Sequence, residues 1–148
     1  MTVNDTHLFM LRAHLGGEDE AVRRTYARIT DPIAMCGLAE LVFQAFLIAA
    51  RRKFSPTWNH AQVISFVARL RAALCERPEL LDPITAELEL CRALGEDVNA
   101  SPDVGATATA RLILLDALIE SLNLDDEAIW DLLLQARKNA LRHYGENA

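Results

Sequence analysis

Aromatic, valine and threonine side chains are scarce in this chain; aromatics supply only 6% of its 148 residues. β-Sheets are built largely from such residues, so their shortage argues against one. Glycine (6) and proline (5) are also few, which limits how often the chain can be broken. Cysteine occurs three times, at Cys36, Cys75 and Cys91, an odd number with no C-x-x-C spacing. That pattern argues against a disulfide frame and a zinc site, and reads as reduced, mostly buried thiols of a cytoplasmic protein. Positive charge is also in deficit. The net charge is −6, whereas a protein that neutralises phosphates needs a cationic surface, so broad DNA binding is disfavoured. Lysine supplies only 2 of the 15 basic residues (Lys53 and Lys138), an arginine bias that, with abundant alanine, points to a GC-rich bacterial genome. The N-terminus "MTVNDTHLFML" has no basic segment leading into a long apolar one, so export is not expected.

What the chain has in quantity is alanine and leucine, both strong helix formers, within a 51% hydrophobic composition. The expectation is an all-α fold: one domain over residues 1–148, a bundle of six or seven helices with a buried central helix. The central helix is expected from Pro32 to Lys53. Its stretch "IAMCGLAELVFQAFLIAA" has 18 residues, close to the minimum that spans a membrane. Glu40 and Gln44 interrupt it on one face, and a charge at a bilayer centre costs about 2.5–3.5 kcal/mol, so a core helix is expected and no membrane partner.

Local chemistry marks the other elements. Asn4, Asp5 and Thr6 offer caps for a short helix over 5–15, ending at Gly16–Gly17. A second helix should follow "EDE", with Asp19–Arg23 and Glu20–Arg24 pairs and a stripe of Val22, Tyr26 and Ile29 ending at Thr30. "DPI" occurs at Asp31 and again at Asp82, each an acidic cap followed by a first-turn proline. The intervening helix carries Val63, Val67, Leu70 and Leu74 and stops before Pro78, and the helix from Pro83 runs to about Leu94. Beyond the loop Gly95–Gly105, Ser101–Pro102 opens a C-terminal hairpin, 102–144. Its first helix has a seam of Ala108, Leu112, Leu115, Ile119 and Leu122. Its second is capped at Asp125, with Leu124 and Ile129 as a staple, and buries Leu133, Ala136 and Ala140.

Catalytic groups are hard to find. None of His7, His14, His60 and His143 lies four residues from another, and no E-x-x-H motif is present, so neither metal nor cofactor is expected. His60 precedes Ile64 and Val67 on an apolar stripe and reads as a hydrogen-bonded core histidine. Glu40, Glu87, Glu89, Asp116 and Glu120 do not form the paired motifs that hold magnesium. Arg137 and His143, six residues apart near the C-terminus, remain. This R-x(4–6)-H spacing resembles the signature of HEPN-type ribonucleases, small helical proteins that commonly dimerise to form an RNA-cleaving cleft. The resemblance implies a phosphate held by Arg137 and a proton moved by His143, with RNA as the partner. Lys138 stands where that family often has Asn, Asp or His. On an ideal helix the two side chains lie about 120° apart. The alternative is a basic helix end, with Lys138, Arg142 and His143 near the exposed carbonyls and Arg137 stacked between Trp130 and Tyr144.

The preferred reading is therefore a non-catalytic interaction protein, most simply a homodimer. Ile113, Leu114, Ala117 and Leu118 extend the apolar surface of the 108–122 helix around most of its circumference and are the candidate partner-binding residues.

Overall fold

A computed structural model of the protein describes residues 3–18, 20, 31–75 and 77–145. Six α-helices and a short 3₁₀ turn are present among them, and no strand. The helices are α1 (Asp5–Leu15), α2 (Pro32–Lys53), α3 (His60–Ala73), α4 (Pro83–Ala93), α5 (Val104–Ser121) and α6 (Asp126–Gly145); the 3₁₀ turn is Pro78–Leu80. The helix expected around Val22, Tyr26 and Ile29, with its Asp19–Arg23 and Glu20–Arg24 pairs, lies outside the described residues.

Caps place the boundaries. Asn4 accepts from the His7 backbone N–H, and the His7 ring nitrogen Nδ1 accepts from the Asn4 backbone N–H in return (3.1 Å), a capping box closed by histidine. Gly17, at φ +73°, ends α1: its N–H bonds His14 while the Glu18 N–H reaches back to Ala13. Asn59 caps α3 and Asp82 caps α4, whose first turn holds Pro83. Asp125 accepts from the Ala128 N–H at 2.8 Å and starts α6 as expected. The cap of α5 differs from expectation. Asp103, not Ser101, accepts from the first-turn N–H of Ala106 (3.0 Å), and the Ser101 hydroxyl accepts from Asp103 instead, so the helix begins two residues later.

The chain divides into two compact units, Met1–Ile48 with Asn123–Ala148 and Ala49–Leu122. In the first, α1 packs against α6, and the fully buried side chains include Leu11, Leu41, Phe46, Leu132 and Leu133. In the second, α4 packs against both α3 and α5, with Leu81, Leu90, Leu114, Leu115 and Leu118 fully buried.

By length and composition α2 could cross a membrane. It buries one face, Leu41, Ala45, Phe46, Ala49 and Ala50, and its other large apolar residues are half-buried or, like Ile33, exposed. Gln44 Nε2 donates to Glu40 Oε1 at 2.8 Å, so the two polar groups partner one another along that helix.

The burial of α5 corrects the expected seam. Leu115 and Ile119 are buried as expected, but Ala108 is exposed and Leu112 and Leu122 are half-buried, and Thr107, Ala110, Leu114 and Leu118 face inward beside them. A helix apolar on nearly every side carries no periodic mark of its inner face, so packing against α4 sets its rotation.

Candidate functional site

The second unit assembles a cluster that no local motif announces. Cys91 lies near the end of α4. Gly95 follows at φ +100°, its N–H bonds the Arg92 carbonyl, and the Glu96 N–H bonds the Cys91 carbonyl at 3.0 Å. This αL turn folds the chain back, so Glu96 is held over the residue five positions before it. The helix end is fixed further by Arg51, whose Nε donates to the Ala93 carbonyl at 3.0 Å. His60 enters from α3, where the Asn59 cap sets it in the first helical position. Its ring meets Trp58 edge-on at 5.4 Å, and its Nε2 lies 2.7 Å from Glu96 Oε2.

The ligating atoms of His60, Cys91 and Glu96 all lie within 4.8 Å of one another. They border a pocket of about 290 Å³ whose apolar wall includes Val63, Ile64, Ile84, Leu88 and Val98. A second hollow of about 530 Å³, bordered by Trp58, Leu94 and Gly95, shares His60 and Glu96. Cys91 is buried, and burial pushes its thiol up to about 11; the negative Glu96, to which the thiol donates, and Glu87 add to the effect. The thiol is therefore protonated at neutral pH and is no nucleophile as it stands.

Two expectations are corrected. His60 is no core histidine: its side chain is mostly exposed, because the first position of α3 projects beyond the apolar stripe that starts at Val63. The cysteines are not mostly buried either, since Cys36 and Cys75 are exposed and Cys91 alone is inside. The cysteine spacing spoke against a zinc site; packing of α3 on α4 nevertheless brings one thiol to a histidine and a carboxylate. Part of that was readable, because Cys91, Gly95 and Glu96 have the spacing of a helix-ending turn. His60 was not, being 31 positions from Cys91.

The Arg137–His143 pair lies on α6, which runs unbroken from Asp126 to Gly145. An unbroken helix keeps the two side chains about 120° apart within one chain. The Arg137 guanidinium is engaged by α1, Nη1 donating to Asp5 Oδ1 at 2.6 Å. Trp130 meets Phe9 edge-on at 5.7 Å, and the stacking expected of Tyr144 lies outside the described side chains. Of the candidate partner-binding residues on α5, Leu114 and Leu118 are fully buried in the chain itself, while Ile113 and Ala117 are half-buried. Among the described side chains of α6, the large apolar ones left in solvent are Leu134 and Leu141, 45% and 50% exposed, with Phe9 of α1 nearby through Trp130.

Comparison with protein-family models, with curated proteins and with solved structures finds no match for this chain.

Proposed function

We propose that this protein is a non-catalytic interaction module, that its working surface is the outer face of α6, and that its partner is a second copy of the chain. The observation that carries the reading is the exposure of Leu134 and Leu141 at seven-residue spacing, with half-buried Trp130 four residues ahead. At about 100° per residue these three fall within roughly 40° of one another, a continuous apolar stripe. Exposed stripes of this kind mark association surfaces more often than isolated apolar residues do.

Charge selects the occupant. Asp131 and Lys138 are both exposed and both flank the stripe on one side, roughly 40–60° from Leu134. In an antiparallel pair of identical helices, like flanks face each other. A two-fold axis close to Leu134 sets Asp131 of each copy against Lys138 of the other, and Trp130 against Leu141. The face is thus complementary to itself, which is the requirement of a two-fold interface. The RNA-cleaving alternative finds less support, because its arginine is paired to Asp5 and its histidine points elsewhere on the same helix.

Light scattering on the full chain at micromolar concentration tests the proposal. The expected mass is that of two chains, falling to one in Leu134→Lys, with the helical circular dichroism unchanged because Leu134 is outside the core. A single-chain mass in the unaltered protein, constant on concentrating, removes it.

A further inference from the structure

We propose that His60, Cys91 and Glu96 form a binding site for a divalent transition metal of the zinc class, with three protein ligands and one coordination position open to the adjoining pocket. This inference is independent of the association surface, which belongs to the other unit.

The donor set is the first argument. One imidazole nitrogen, one sulfur and one carboxylate oxygen are the ligands zinc takes, and three protein ligands with a fourth position vacant is the pattern of its reactive sites. Alkaline-earth ions prefer oxygen throughout and are poorly served by the sulfur.

Geometry is the second. Zinc bonds of about 2.0–2.3 Å in a tetrahedron require donors roughly 3.3–3.8 Å apart. The three atoms already lie within 4.8 Å, with His60 and Glu96 at 2.7 Å, so small side-chain rotations close the set around an ion. The backbone need not move. His60 is positioned by the Asn59 cap and the Trp58 ring, and Glu96 by the turn at Gly95.

Charge balance is the third. Of the described residues bordering the pocket, Glu87 and Glu96 are acidic and His60 alone can carry a positive charge. On binding, the sulfur–metal bond replaces the S–H bond of Cys91, and that proton leaves to solvent. The metal's two positive charges are then matched by one thiolate and one carboxylate, with His60 neutral and bonded through Nε2. The fourth position takes water, and beside it stands the apolar wall of Val63, Ile64 and Leu88, against which a small apolar molecule with a metal-binding head group can rest.

Cobalt(II) is the probe, because its thiolate complexes absorb by charge transfer. The full chain carries Cys36→Ser and Cys75→Ser, which removes the exposed thiols and leaves Cys91. The expected result is a charge-transfer band saturating at a single equivalent of cobalt and displaced by zinc. His60→Gln and Glu96→Gln should each weaken the cobalt affinity by roughly tenfold or more, and Cys91→Ser should abolish the band. No band, a band that survives Cys91→Ser, or an affinity unchanged in both His60→Gln and Glu96→Gln would overturn the proposal, leaving His60 and Glu96 as a simple ion pair closing the loop. His60 and Glu96 lie outside the core, so their variants remain decisive even where Cys91→Ser fails to fold by circular dichroism.

Discussion

The two units each bury a polar group completely, and they satisfy it in opposite ways. The first buries His7, 1% exposed, as a neutral ring: Nδ1 accepts from the Asn4 backbone, and the ring bonds the backbone of Ala34. The second buries Glu89, 2% exposed, where one carboxylate oxygen takes the Arg92 guanidinium at 3.1 Å and the other takes Arg111 at 2.8 Å. The first unit keeps its charged pairs near the surface: Arg12 with Asp126, and Arg137 with Asp5, both acids largely exposed. The difference teaches where stability is vulnerable. A buried ion cluster tolerates the loss of a partner badly, whereas an exposed pair contributes little. A buried neutral imidazole is sensitive to pH instead.

The largest effect should come from breaking the Glu89 cluster. Glu89→Ala removes the buried carboxylate that Arg92 and Arg111 share at the α4–α5 contact and should lower unfolding stability by about 3–5 kcal/mol, measured by denaturant titration. A loss below about 1 kcal/mol would place Glu89 with the surface pairs and erase the contrast.

The association surface provides the next. Asp131→Lys or Lys138→Asp alone sets like charges against each other and should weaken self-association on the order of tenfold, while the double exchange restores it. Sedimentation equilibrium separates these outcomes, and failure of the double variant to recover would rule out the antiparallel arrangement. Helix caps come after that. Asn59→Ala should cost about 1 kcal/mol and, by loosening His60, disturb the metal-binding cluster as well. Arg137→Ala, which removes the bond to Asp5, should cost under about 1 kcal/mol.

His7 makes stability depend on pH. Burial holds its folded pKa below the ordinary 6.5, with the Ala34 backbone bond opposing part of that shift. As pH falls through 6.5 the unfolded chain takes up a proton that the folded chain resists, so stability present above 6.5 is lost progressively toward the lower folded value. Denaturant midpoints followed downward from neutral pH should therefore fall, and the slope should be shallower in His7→Gln. An equal slope in both proteins would assign the acid sensitivity elsewhere.

Local signals determined the helices. The paired "DPI" segments, Asn4, Asn59 and Asp125 act on N–H groups within three residues of themselves, so their effect is complete before any tertiary contact forms. The boundaries of α1, α2 and α4 follow directly, and Gly17 and Gly95 mark the ends at which only a positive φ continues the chain. At 101–103 the expected cap, Ser101, gives way to Asp103, whose carboxylate accepts from the Ala106 N–H while the Ser101 hydroxyl accepts from the Asp103 N–H. The tertiary structure alone decided rotation and long-range company. The stripes of α3 and α6 identify their inner faces, but α5 is apolar on almost every side, and packing against α4 turned Leu114 and Leu118 inward and Ala108 outward. His60 likewise joined Cys91 and Glu96, which a local turn already holds together, only when α3 came to lie on α4, because a helix brings together residues three or four apart and leaves longer separations to packing.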